Sequence, residues 1–227
     1  MSAVAVGGLR GRQLRAAAPA LVRAARWQPV LVVAVLAAAL LLLRADDLTH
    51  PAGQVSLLRG VALLLAAAVP FGLDDGTRGT VAASPTPLWS RTAAALLAVV
   101  LPACLVWAAA CTWALRRAEG AVPVGGLTLE AAALCAASTA VALALCRWRD
   151  VSEPGVLTAP VVVALGLGLP RLPRWAALSV PPGPAWGDAH LRWSAVLVAA
   201  VGVAALALAD PGRPRRSLRT ARAASGG

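Results

Sequence analysis

Apolar positions in this chain neither alternate nor recur as a single helical stripe; they run in long blocks of Ala, Leu and Val separated by short polar stretches. The blocks fall near Pro29–Leu43, Val55–Leu73, Thr92–Leu115, Leu127–Cys146, Pro154–Leu169 and Arg192–Ala209. Several approach or exceed the ~17–25 residues that a helix needs to cross about 30 Å of hydrocarbon. The short alternating segments of a membrane β-barrel are absent from the pattern. It therefore predicts an all-α, polytopic integral membrane protein with six transmembrane helices. The fifth block is the weakest: its roughly 16 residues cover about 24 Å and include Pro160. It is read as either a complete span or a partly re-entrant one.

Composition strengthens this reading. The 227 residues are 59% hydrophobic and only 14% charged, a balance that a soluble domain of this length could not hide in one core. Net charge is +11, with all basic residues Arg. These residues flank the apolar blocks, so the excess is a topology signal and nucleic acid is not an expected partner. With the N-terminus inside, the inner segments hold Arg10, Arg12, Arg15, Arg23, Arg26, Arg78, Arg91, Arg147, Arg149, Arg213, Arg215, Arg216, Arg219 and Arg222. The outer ones hold Arg44, Arg116, Arg117, Arg171, Arg174 and Arg192. Both termini are thus expected in the cytoplasm and the protein in the plasma membrane. The pair Arg116 and Arg117 runs against the bias. Arg59 lies within the second span, near enough to its outer end to snorkel.

The expected organisation is a basic tail and interfacial elbow over 1–28, a transmembrane domain over 29–209 and a basic cytoplasmic tail over 210–227. Within the domain, 74–91 is a cytoplasmic segment and 170–191 an extracellular loop. At 100° per residue Arg12, Arg15, Arg23 and Arg26 share an arc of about 80°, opposite Leu14, Ala18, Leu21 and Ala25. This is the signature of an N-terminal amphipathic helix on the lipid headgroups, kinked near Pro19, with Trp27 at the membrane surface. A disordered basic tail is the alternative. The leading charged region is too long for a typical cleaved signal peptide, and a retained signal anchor is expected.

The second and third spans are separated by "DDGTRGTVAASPTPLWSR", Asp74 to Arg91, an island of small polar residues. Asp74, Asp75 and Thr77 suit the N-terminus of a short helix, and Pro85 disfavours its continuing past Ala83. Thr86 and Pro87 suit the start of the third span. Gly79, Ala82 and Ala83 in the short helix Gly76 to Ala83 allow another surface to approach closely, and Thr77 and Thr80 offer it hydroxyls. A docking helix and an ordinary turn both fit.

An N-terminal interfacial helix, six spans and "LDDGTRGTVAASPTP", Leu73 to Pro87, together resemble the permease subunit of ABC-2-type ABC transporters. The resemblance covers essentially the whole chain, although its local motif is loose. It implies that Asp74, Asp75, Gly76, Thr77, Arg78, Gly79, Thr80, Val81, Ala82, Ala83, Ser84 and Pro85 form a coupling helix docking on a separate ABC ATPase subunit. It also implies export, a homodimer or heterodimer of permeases, and short extracellular helices between spans five and six. That region here is Pro170 to Trp193, whose Trp175, Trp186 and Trp193 suit an outer interface.

The chain has no phosphate-binding loop and no Lys, so no ATPase site of its own is expected; ATP and Mg would be bound by the partner subunit. No nucleophile elbow or paired His motif points to catalysis or a metal. Cys104, Cys111, Cys135 and Cys146 lie in apolar blocks without metal-type spacing and are read as small buried residues. Asp46, Asp47 and His50 cluster after the first span and read best as a solvated loop. Glu130, about one turn into the fourth span, is either a functional intramembrane acid or an interfacial one. Asp188 and His190, near the sixth, carry the same ambiguity. The alternatives to a permease are a non-transporting membrane anchor or scaffold that binds membrane lipid or partners through its basic tails, and an intramembrane enzyme using Asp46, Asp47 or Glu130.

Overall fold

The computed structural model describes residues 28–46, 50–74, 88–118, 122–171, 173 and 178–209. Six α-helices follow one another: α1 (Gln28–Leu43), α2 (Pro51–Ala68), α3 (Leu88–Arg117), α4 (Val124–Trp148), α5 (Pro154–Gly168) and α6 (Trp186–Leu208). A 3₁₀ turn at Val69–Leu73 prolongs α2, and another at Leu169–Arg171 prolongs α5. Among the described residues there is no strand.

Five of these helical stretches are long and apolar enough to cross a membrane: Pro51–Leu73, Thr92–Arg117, Val124–Trp148, Pro154–Arg171 and Trp186–Leu208. The architecture is that of a multi-pass membrane protein. The short member is α1, whose 16 residues are apolar throughout but reach only about 24 Å. The fifth block, open to a re-entrant reading, is a continuous helix with Pro160 inside it. Proline removes one backbone hydrogen bond from a helix, which neighbouring packing can tolerate in a membrane helix.

The centre of the bundle is α2, which packs against α1, α3, α4 and α5. Of its most apolar window 61% is buried, against 39% or less in the other long spans. Val55, Leu58, Val61, Ala62 and Leu65 line its buried faces. They join Val30, Val33, Ala37 and Leu41 of α1, Val99, Ala103, Ala110, Cys111 and Ala114 of α3, and Leu127 of α4 in one apolar core. The α1 residues recur at steps of three and four, so one face is buried while Leu31, Val32, Val35 and Leu36 point outward. A second cluster, Leu73, Ala142, Leu143 and Ala207, forms where α2 ends. The most extensive helix pairing is α4 with α6.

Helix ends correct two of the sequence boundaries. Helix α6 starts at Trp186, six residues before Arg192, so Trp186 to Leu191 are helix rather than loop. Pro184 interrupts the preceding chain, and Asp188 in the first turn complements the helix dipole. Helix α4 starts at Val124, which sets Glu130 nearly two turns inside it. Helix α3 starts at Leu88, next to Thr86 and Pro87, with its apolar span from Thr92. The anomalous Arg116 and Arg117 occupy its last turn, where cations oppose the negative end of the helix dipole. Arg117 also lies over the Trp113 ring at 5.0 Å. These contacts give the pair a local reason to be there, independent of topology.

The elbow residues Arg12, Arg15, Arg23, Arg26 and Trp27, the segment Asp75 to Pro85, and the tail after Ala209 lie outside the described residues. Between α5 and α6 the described residues 173 and 178–185 contain bends and a turn but no helix.

Candidate functional site

Successive spans run in opposite directions, so the N-terminal ends of α2, α4 and α6 share one end of the bundle. Each contributes a polar side chain at that end: Arg59, Glu130 and His190. Arg59 Nε donates to Glu130 Oε2 at 2.7 Å, and Nη2 donates to Oε1 at 2.7 Å. This forked pairing satisfies both carboxylate oxygens and matches the planar guanidinium to the planar carboxylate. The Glu130 side chain is 3% exposed and that of Arg59 20%. Away from water the attraction between them is weakly screened, and neither partner is readily lost without stranding the other.

The third helix closes the site. The ring of Trp186 covers the Arg59 guanidinium at 5.6 Å and lies 4.3 Å from the His190 ring. Nη2 of Arg59 also donates to the Val180 carbonyl at 2.9 Å. His190 Nδ1 lies 2.7 Å from the Trp186 carbonyl, while Nε2 lies 3.5 Å from Glu130 Oε1. Gly126 makes room for this approach: a Cβ there would sit 2.5 Å from His190 Nε2 and 3.0 Å from the Trp186 ring. Trp193 Nε1 donates to the Leu178 carbonyl at 2.9 Å. The strip from Leu178 to Trp186 is thus tied to the helix ends by Arg59 and Trp193.

The opposite end holds a second buried acid. Asp74, the first residue of the polar island, is 6% exposed, and its Oδ1 accepts from the Gly155 backbone N–H at 2.7 Å. Gly155 is the second residue of α5, so Asp74 caps that helix from across the bundle. The contact needs a glycine, since a Cβ on Gly155 would lie 2.7 Å from Phe71 Cα. The sequence places Asp74 as a cap for its own segment; the structure also gives it the N-terminus of a different helix.

Of the remaining candidates, Asp46 is described and Asp47 is not. Among the described residues no three His, Cys, Asp or Glu side chains gather as metal ligands would. Cys111 is buried and Cys135 and Cys146 are half-buried, but Cys104 is exposed on the bundle surface, contrary to its expected burial. Glu130 is buried inside the bundle, where Arg59 pairs with it. The pairing had a signal in the sequence: the lone cation within one apolar block and the lone acid within another, both near the same end. The role of Trp186 had none, because the start of α6 was misplaced. The chain matches no family model, no curated protein and no solved structure.

Proposed function

We propose that this chain is the permease subunit of an ABC-2-type exporter, one of two such subunits forming a path through the plasma membrane. A separate ATPase, holding ATP and Mg, docks on the segment from Asp74 to Pro85 and drives it. The observation that carries this reading is the anchoring of Asp74. It is continuous with α2 and hydrogen-bonded to the first turn of α5, so a push on the segment that follows it reaches two helices at once. A connecting turn with no mechanical task does not need that joint. The buried Glu130, already held by Arg59, weighs against an intramembrane enzyme. The runner-up is a non-transporting anchor.

Gly79→Trp separates the two. If 76–83 packs into a cleft on the ATPase, the added bulk should lower the retained ATPase by about 5- to 100-fold, the equivalent of the 1–3 kcal/mol typical of overpacking. Insertion of the chain should be unchanged. Pull-down of the tagged chain from native membranes, with transport-linked ATP hydrolysis, provides the readout. Full partner retention and full coupled activity in the variant would make 76–83 an ordinary turn, whereas a parent chain that retains no ATPase would leave the anchor reading in place.

A further inference from the structure

The Arg59–Glu130 pair accounts for two of the three polar side chains at the first end of the bundle and leaves His190 without a role. Its geometry restricts the proton positions. A carbonyl only accepts, so the 2.7 Å contact with the Trp186 oxygen requires the proton on Nδ1. In the neutral ring Nε2 is then a bare lone pair, and it faces a carboxylate oxygen 3.5 Å away. That arrangement is repulsive. With a second proton, Nε2–H becomes a charge-assisted donor to Glu130 Oε1, and the same geometry becomes attractive.

We infer that His190 is a proton-binding latch: protonation of Nε2 fastens the start of α6, and with it the 178–186 strip, to the Glu130–Arg59 pair on α4 and α2. Among the described residues the groups facing His190 are few. Helix α2 supplies Arg59 and α4 supplies Glu130, while residues 178–185 supply the Val180 carbonyl and no titratable side chain. On α6 itself Asp188 is exposed and Arg192 half-buried. The sign follows from which form makes the bond: the latch closes in acid and loosens in base. Trp186 transmits the change, since it touches both the imidazole and the guanidinium. The inference goes beyond the permease proposal and does not need it.

The test uses the full chain in lipid nanodiscs, with Cys104, Cys111, Cys135 and Cys146 replaced by Ala. One new Cys is placed at Ser179, between the two anchored carbonyls, and in a second preparation at exposed Ser152 at the other end. The labelling rate by a polar maleimide is measured against pH and expressed as the ratio of position 179 to position 152, which cancels the titration of the thiol. The ratio should fall by about threefold or more from about pH 8 to pH 5, the scale of one added hydrogen bond. His190→Asn keeps a donor for the Trp186 carbonyl but has no second nitrogen, so its ratio should stay high and flat; His190→Gln should be flat as well. His50→Asn, which removes the only other histidine, should retain the wild-type profile, as should Asp188→Asn. A flat ratio in the parent chain overturns the inference without recourse to any variant. So does an unchanged profile in His190→Asn or His190→Gln.

Discussion

Among the described residues each end of the bundle buries one carboxylate, and the contacts that hold the two differ. Glu130 meets a formal positive charge on a long side chain from another helix, with Trp186 and His190 packed around the pair. Asp74 meets a backbone N–H and the partial positive charge at the start of α5. The first arrangement concentrates energy in side chains, so removing either partner leaves a full charge in a medium of low dielectric. The second contact is made to rigid backbone, so it serves as a joint between α2 and α5. One end is therefore expected to govern stability and respond to protons, and the other to transmit displacement.

The contrast is broken most forcefully at Glu130. Glu130→Ala should destabilise the purified protein by about 3–5 kcal/mol, because Arg59 is left buried without its counter-charge. Arg59→Met combined with Glu130→Leu should recover most of that loss, since an apolar pair of similar volume is often neutral or better. Denaturant unfolding of all three in one detergent measures both effects. A Glu130→Ala cost no larger than that of an Asp74 change would erase the difference between the ends.

At the opposite end Gly155→Ala forces a Cβ against the backbone of Phe71, and backbone cannot swing aside as a side chain would. A loss of about 1–3 kcal/mol is expected. Asp74→Ala removes the cap on α5, with about 0.5–2 kcal/mol lost, while Asp74→Asn should lose less because its amide oxygen still accepts from Gly155. The order Gly155→Ala at or above Asp74→Ala, in the same unfolding assay, sharpens the picture of a fitted joint. The smallest change returns to the first end. Trp193→Phe deletes the bond to the Leu178 carbonyl and should cost about 0.5–1.5 kcal/mol. Its labelling rate at a Cys placed at Ser179 should rise while the pH response of His190 persists, which would separate the neutral tie on the 178–186 strip from the ionic one.

Helix existence was legible in the chain because hydrocarbon-spanning length and apolarity are local properties. The six blocks correspond to α1 through α6, even though among the described residues five helical stretches have the length and apolarity to cross a membrane. Boundaries failed where polar or aromatic residues continue a helix beyond its apolar part. At α6 the residues Trp186, Asp188 and His190 looked like loop because they are not lipid-like, yet Pro184 and the first-turn acid mark a helix start. The fifth α-helix is short, at 15 residues, and only its 3₁₀ extension carries the helical stretch to Arg171.

By itself, the sequence determined the material of this protein: apolar helices that belong in a membrane, basic flanks, and the lack of a phosphate-binding loop or any Lys. Each follows from residue type and run length, and none needs knowledge of what packs on what. Only the tertiary structure decided that α2 is central, that Arg59 finds Glu130 across 71 positions of chain, and that Asp74 caps α5 from 81 positions away. Opposite charges in separate apolar blocks must find partners or leave the membrane, but composition does not say which of these happens. That choice depends on which helix faces meet, and it is settled by close contacts at Gly126 and Gly155 that no periodicity in the chain reveals.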